Sequence, residues 1–322
     1  MNKNNSLVSV VIPVFEEEKH LKQSLRVIEG VLNSERIKHH YVLVDDGSKD
    51  RTWETIKEAA REIPGISAVK LSRNFGKESA LCAGLEMATG DACIVMDSDL
   101  QHPPALIPEM IRLWQKEGYE VVEGVKTSRG REGLFSKIYA YLFYKTLKRF
   151  AGFDLSGASD FKLLDSKVVT SWRLLTERNT FFRGMTAWVG YKRIRIPFEV
   201  AARATGKTKW SKVKLFRLAL TAITSFSSLP LYVVVFLGLV FLIGSIPLGI
   251  DTLESYFRGI AVSGFTTVIL LLLVIGSILM ICLGIIGAYI ARIFDEVKHR
   301  PRYLVAETIT TGTRRKSRKQ DA

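Results

Sequence analysis

The stretch IVMDSDLQHPP (residues 94–104) runs three apolar residues straight into Asp97 and Asp99, with Gln101 two positions on and two prolines behind. Two carboxylates at the mouth of a buried strand repel each other unless a cation stands between them. Oxygen ligands with a partly hydrated octahedral shell suit Mg²⁺ or Mn²⁺, ions that also bind substrate phosphates. A bare D-x-D recurs by chance in many loops, so its weight here comes from its setting.

That setting is a repeated strand–helix unit. Residues 7–13 (LVSVVIP), 41–46 (YVLVDD), 66–72 (ISAVKLS) and 91–97 (DACIVMD) are short apolar or β-branched runs. Helical patterns follow them from about Glu17, Arg51, Lys77 and Pro104. Continuous apolar strands alternating with helices predict an α/β, Rossmann-like, mostly parallel sheet covered on both faces. Ligands of such sheets bind beyond the carboxyl ends of the strands. The polar residues fall there: Glu16 and Glu17, Asp45 and Asp46, Arg73 and Asn74, then Asp97 and Asp99. Either Asp45 or Asp46 could cap the helix at residue 51, but two adjacent aspartates exceed what one cap requires. No G-x-G-x-x-G or G-x-x-x-x-G-K-[ST] occurs in this region, which removes the main support for dinucleotide and P-loop readings.

The chain has 322 residues, 47% hydrophobic and 24% charged, which excludes a disordered protein. Its net charge of +14 implies an anionic partner: nucleic acid, a membrane surface or phosphorylated substrates. Cys82, Cys93 and Cys282 fit no zinc or redox spacing and read as buried thiols. The N-terminal MNKNNSLVSVVIPVF does not read as a signal peptide.

Residues 229–250 carry no charge over 22 positions, and residues 265–291 carry none over 27. A transmembrane helix needs about 20 apolar residues, so both predict membrane spans. Lys207, Lys209, Lys212, Lys214 and Arg217 precede the first, while Arg292, Lys298, Arg300, Arg302 and the RRKSRK run (314–319) follow the second. The positive-inside rule then puts both termini, and the soluble domain with them, in the cytoplasm, with a hairpin dipping through the membrane. The spans argue against nucleic acid as the partner. Residues 134–150 and 211–226 are basic, aromatic and amphipathic, which suits the lipid interface. They could instead pack on the soluble core or on another copy of the chain in a homo-oligomer. The expected organisation is a soluble domain over 1–210, a juxtamembrane helix over 211–228, a two-helix hairpin over 229–294 and a basic tail over 295–322.

VVIPVFEEE (10–18), VLVDDGSKDRT (42–52) and VMDSDLQHPP (95–104), in this order, resemble a family 2 glycosyltransferase of the GT-A fold. SDFKLLD (159–165), ERNTFFRGMTAWVGY (177–191), ARATGKTKWS (202–211) and SFSSLPL (225–231) are similar to its polyprenyl-phosphate branch, which includes dolichol-phosphate mannose synthases and bacterial undecaprenyl-phosphate glucosyltransferases. The resemblance covers nearly the whole chain and is nearest the bacterial type. It implies inverting transfer of one sugar from a nucleotide donor, with UDP-glucose favoured, to a membrane polyprenyl phosphate. It also implies that Pro13, Phe15 and Glu17 hold the base and ribose, supported by Asp45 and Asp46. Asp97 would lie against the donor, and Asp99 and Gln101 would hold the metal. Arg203 and Lys209 would grip phosphates, and Asp160 would stand near the acceptor.

Elementary chemistry supports such a site. A phosphate monoester has a second pKa of about 6, so it is largely dianionic at neutral pH and needs a general base less than a sugar hydroxyl does. Asp160 is therefore expected to orient, or to take a residual proton. A buried phosphate also needs a cation, and Arg183, Lys207 and Arg129 are candidates. A processive polysaccharide synthase would carry Q-x-x-R-W, a pattern that none of Gln23, Gln101, Gln115 and Gln320 begins. A non-catalytic membrane scaffold or channel would need polar residues lining a path, and the spans carry no charge and few polar residues, Ser245, Ser277 and Tyr289 among them.

Overall fold

A computed structural model of the chain describes residues 6–126, 158–178, 180–199, 229–259 and 264–310. The four expected strand–helix units are present: β1 (Val8–Val14), α1 (Leu21–Ser34), β2 (His39–Asp45), α2 (Thr52–Glu62), β3 (Ile66–Leu71), α3 (Lys77–Met87), β4 (Ala92–Val95) and α4 (Ile107–Lys116). Then come β5 (Val121–Lys126), β6 (Ala158–Asp165), α5 (Ser166–Leu174), α6 (Phe182–Trp188) and β7 (Arg193–Phe198). Two long helices, α7 (Leu229–Phe257) and α8 (Phe265–Val297), precede a last strand, β8 (Val305–Thr310).

The strands form one sheet in the order β7-β5-β6-β4-β1-β2-β3-β8. Pairings β1–β2, β1–β4, β2–β3 and β5–β7 are parallel, while β4–β6, β5–β6 and β3–β8 are antiparallel. The chain steps outward from β1 to β3, then returns to place β4 on the other side of β1. Connections thus leave β1 and β4 in opposite directions, and the crevice between such strands is where open α/β sheets bind ligands. Apolar residues of β1, β2 and β4 pack with Leu21, Leu25 and Ile28 of α1, Trp53 and Ile56 of α2 and Met110 and Trp114 of α4. Cys82 and Cys93 are buried thiols, and burial pushes Cys93 up to about 12.

The expected basic tail over 295–322 needs correction. Helix α8 continues to Val297, and Val305–Thr310 then pairs with β3 as the sheet's eighth strand. Trp53 Nε1 donates to Glu307 Oε2 at 2.9 Å, Lys57 Nζ lies 3.1 Å from the same oxygen, and Arg302 Nε donates to the Glu177 carbonyl at 2.8 Å. Ile309 packs on the core, so the edge strand is held by polar ties and one apolar contact, a weak signal beside a basic run. The run itself, and the amphipathic stretches 134–150 and 211–226, lie outside the described residues.

The described residues fall into two compact units, one bearing the sheet with β8 and one bearing the long helices. With 29 and 33 residues, α7 and α8 are long and apolar enough to cross a membrane. Val235, Phe236, Leu242, Leu272 and Met280 are exposed along them.

Helix α3 lies on β1 and β2 through Gly84. A Cβ there would sit 2.3 Å from Val11 Cγ1 and 3.3 Å from Val44 Cγ2. Overpacking a filled core costs about 1–3 kcal/mol. Gly84→Ala is expected to lower the unfolding free energy of the purified chain by that order, measured by denaturant titration, and an unchanged value would show that α3 can lift off the sheet freely.

Candidate active site

The rim beyond β1, β2 and β3 is laced together by hydrogen bonds. The Glu16 amide donates to Ser48 Oγ and the Glu17 amide to Thr52 Oγ1, each at 2.9 Å. Arg51 N donates to Glu18 Oε2 at 3.0 Å. Asp46 accepts from the amides of Phe75 at 2.8 Å and Gly76 at 2.9 Å. Gly47, at φ +67°, lets the second loop pass the third, since a Cβ would stand 2.2 Å from the Arg73 carbonyl carbon. Asp46 was expected among the nucleotide ligands, but both of its oxygens are spent on this loop. Neither Asp45 nor Asp46 caps α2; Asp50 receives Thr52 N at 3.1 Å instead.

Asp45 is fully buried, and burial raises its carboxyl above the usual range. Its Oδ1 accepts from Ser48 N at 2.9 Å, while its buried Oδ2 has no hydrogen-bond partner. A buried carboxylate oxygen without a donor is costly, and this one suits a ligand N–H or O–H. Pro13, expected to touch the base, is buried inside β1, whereas Phe15 at the strand's end is 40% exposed and offers a flat apolar face.

Glu17, Asp97 and Asp99 face one another across the crevice between β1 and β4. Burial raises the Glu17 carboxyl, and the charges of Asp99, Asp50 and Asp97 raise it further against the pull of His20. Glu16 and Leu100 beside them hold φ of +56° and +55°, a left-handed conformation uncommon outside glycine. Asp99 is exposed and its Oδ1 accepts from the Gln101 amide at 3.0 Å; Gln101 is half-buried. His102 went unrecognised in the sequence. Its buried ring stacks on Phe161 with centroids 5.2 Å apart, and Nδ1 accepts from Asp97 N at 3.1 Å. Burial keeps it neutral, so its proton sits on Nε2, 3.9 Å from Asp97 Oδ2. His102 therefore anchors the backbone at Asp97.

A hard divalent cation fits this cluster. Asp97, Asp99 and Gln101 each offer a side-chain oxygen, and the carboxylates of Asp99 and Asp97 add to burial in raising Glu17 beside them. Among the described residues no three His, Cys, Asp or Glu side chains form a metal-ligand group. An ion here would take its remaining ligands from water and phosphate, the usual habit of Mg²⁺.

The second half of the site is built around Asp160 of β6, which is 5% exposed. Lys77 Nζ, at the start of α3, lies 2.7 Å from Asp160 Oδ2 and 2.6 Å from Asp97 Oδ1. Arg183 of α6 forks onto Asp160, with Nε 2.7 Å from Oδ1 and Nη2 3.1 Å from Oδ2. Burial works against the Asp160 charge, but Lys77 and Arg183 outweigh it and hold the carboxyl far below its ordinary range. Such a group stays ionised near neutral pH. Lys126, half-buried at the end of β5, senses Arg183 and the charges of Asp97, Asp99 and Asp160. Lys77 and Lys126 were missed because each belongs to the site only through the fold. Arg129, Arg203, Lys207 and Lys209 lie outside the described residues.

Three comparisons bear on this architecture. Residues 9–164 match the family described as "Glycosyl transferase family 2". The chain is 38% identical over 302 residues to an uncharacterized glycosyltransferase of Synechocystis sp., covering 93% of this chain and 95% of that protein. It is 36% identical over 304 residues to the bactoprenol glucosyl transferase of Shigella phage SfV, covering 92% and 97%. Among solved structures, the mannosyltransferase of Pyrobaculum calidifontis in complex with GDP-mannose and Mn²⁺ aligns at a TM-score of 0.48 and 21% identity, over 68% of this chain and 62% of that one.

Glu78, next to Lys77, has a distinctive titration. Burial and the Asp160 charge push its carboxyl up to about 7, against the Phe182 amide, Arg183 and Lys77. A carboxyl whose folded value is raised from about 4.5 to about 7 favours the fold most when protonated, and that contribution fades as pH climbs through 7. The stability difference between wild type and Glu78→Gln is therefore expected to move in favour of the variant from pH 5 to 8. Denaturant titrations across that range check it, and a pH-independent difference would mean Glu78 titrates normally.

Proposed function

As the chain belongs to glycosyl transferase family 2, with the GT-A fold, we propose that it is a membrane-bound enzyme that transfers one glucose from UDP-glucose to a polyprenyl phosphate, undecaprenyl phosphate in particular, with inversion at the sugar carbon. The observation that carries this reading is the bridge of Lys77 between Asp97 and Asp160, continued by Arg183. It sets cations between a carboxylate of the donor crevice and a carboxylate beside it, where two phosphate-bearing substrates would have to meet.

The donor's base would lie against Phe15, with the buried Asp45 oxygen and Glu17 accepting its N–H and ribose hydroxyls. Asp97, Asp99 and Gln101 would hold Mg²⁺ or Mn²⁺ on the diphosphate, and such an ion, when bound, stabilises the charge gathering on the departing nucleotide. Lys77 and Lys126 would add fixed positive charge beside it. Arg203 and Lys209 would serve the same phosphates.

The acceptor supplies its own nucleophile. Its phosphate is already largely dianionic at neutral pH, with a second pKa of about 6. Asp160, ion-paired on both oxygens, serves neither as base nor as covalent nucleophile; it keeps Lys77 and Arg183 pointed at the incoming phosphate. With Asp160 so paired, single displacement by the acceptor phosphate, and hence inversion, is favoured. Lys207 and Arg129 are further candidates for the acceptor phosphate. Helices α7 and α8 would anchor the protein in the cytoplasmic membrane, with the catalytic domain and both termini in the cytoplasm, where the lipid's phosphate sits at the headgroup plane.

The test combines membranes containing the protein, labelled UDP-glucose, Mg²⁺ or Mn²⁺ and undecaprenyl phosphate. A labelled glycolipid is expected, and Asp99→Ala should cut its formation by about a hundredfold or more, as loss of a major charge-stabilising contact does, while the variant keeps wild-type thermal unfolding. Full turnover by Asp99→Ala would refute the metal site; no labelled lipid from wild type with any polyprenyl phosphate would refute the acceptor.

A further inference from the structure

The geometry around Arg183 depends on a residue that the reaction itself does not use. Arg183 is the second residue of α6, a seven-residue helix, so the way this helix begins decides where its guanidinium points. The residue before the helix, Phe181, supplies no side-chain cap. The amide of Phe182, first in the helix, instead donates to Glu78 Oε2 at 2.7 Å, a tie reaching across from α3. Glu78 also follows Lys77, the other cation on Asp160. Two residues of one helical turn on α3 thus hold the two partners of a single ion-paired cluster: Lys77 grips Asp160 directly, and Glu78 grips the start of the helix that carries Arg183.

The other contacts of α6 hold its body rather than its first amide. The Phe182 ring is buried, edge-on to Trp172 at 5.4 Å. Thr186 Oγ1, one turn on, receives Lys162 Nζ at 2.7 Å. Apolar packing resists separation but is non-directional, so it tolerates small rotations of a short helix about its axis. A directed hydrogen bond at the first amide resists such rotation where the chain enters the helix.

We propose that Glu78 is a positioning residue for the acceptor phosphate: by holding the Phe182 amide it sets the start of α6 and so aims the Arg183 guanidinium at Asp160 and the space beside it. This rests on the reading of Arg183 as an acceptor-phosphate cation. Loss of the tie should weaken acceptor binding and leave the donor side alone, because Asp45, Glu17 and Asp99 belong to other loops.

The experiment uses the full chain in detergent or nanodiscs, with undecaprenyl phosphate and UDP-glucose as probes. Glu78→Ala and Glu78→Asp, the latter keeping the charge but losing reach, are expected to raise the acceptor KM about tenfold and to leave the donor KM within about twofold. Glu78→Gln, whose amide oxygen can still accept, should restore the acceptor KM to within about threefold of wild type. In an Arg183→Ala background the Glu78→Ala effect should vanish, since the two act as one unit. Hydrogen exchange at the Phe182 amide, read without turnover, should quicken in Glu78→Ala and Glu78→Asp and stay slow in Glu78→Gln. Equal rises in both KM values, multiplying effects of Glu78→Ala and Arg183→Ala, or unchanged Phe182 exchange would each overturn the proposal. A wild type inactive on polyprenyl phosphate would refute the acceptor reading instead, and the exchange result would still decide whether the tie exists.

Discussion

The site depends on one buried carboxylate that must stay ionised. Asp160 sits where burial alone would neutralise it, and it keeps its charge because Lys77 and Arg183 reach it from two different helices. The obligation runs both ways, since two cations brought this close would repel without the carboxylate between them. Removing one member of such a cluster strands the others. Asp160 therefore acts as a keystone: it draws the start of α3 and the start of α6 toward β6, and through Lys77 it joins that corner to Asp97 at the mouth of β4. Any anion entering the corner would meet cations that are already ordered, which is the preorganisation that makes electrostatic stabilisation effective.

The first four strands could be read directly from the residues, and the last four could not, for a physical reason. β1 to β4 are covered on both faces and stay almost wholly apolar. β5, β6 and β7 carry Glu123, Lys162 and Arg195, which read as surface charge. In the fold, Lys162 and Glu123 are paired at 3.0 Å with side chains only 2% and 3% exposed, and Arg195 stands 3.6 Å from the same carboxylate. Burial by mutual neutralisation leaves no hydrophobic periodicity, so pattern reading passes over it. β8 escapes notice differently, as a short polar edge strand whose partner β3 lies more than 200 residues earlier in the chain.

The site divides along the same line. Asp97 and Asp99 are legible because they follow the apolar run of β4, and Glu17 because it follows that of β1. Asp45 and Asp46 look equivalent in DDGS, yet one is buried with an oxygen to spare and the other is consumed by the next loop. Only the path of residues 73–76 distinguishes them. Lys77, His102, Lys126 and Glu78 matter through neighbours far along the chain or, for His102, through a backbone amide at a loop's turning point. No local pattern marks such residues, because their importance is a property of the packed arrangement.

β8 changes what kind of appendage the long helices are. Chain on both sides of them belongs to the sheet-bearing unit, so α7 and α8 are an insertion within that unit rather than an extension at its end. A water-soluble fragment made by stopping before Leu229 would therefore not be a whole domain. It would lack its outermost strand, leave the Trp53 indole without Glu307, and present β3 as a bare border with unpaired amides and carbonyls. Bare borders recruit foreign strands. Excising the hydrophobic hairpin cleanly would require splicing Pro301–Thr310 back onto the truncated chain through a linker.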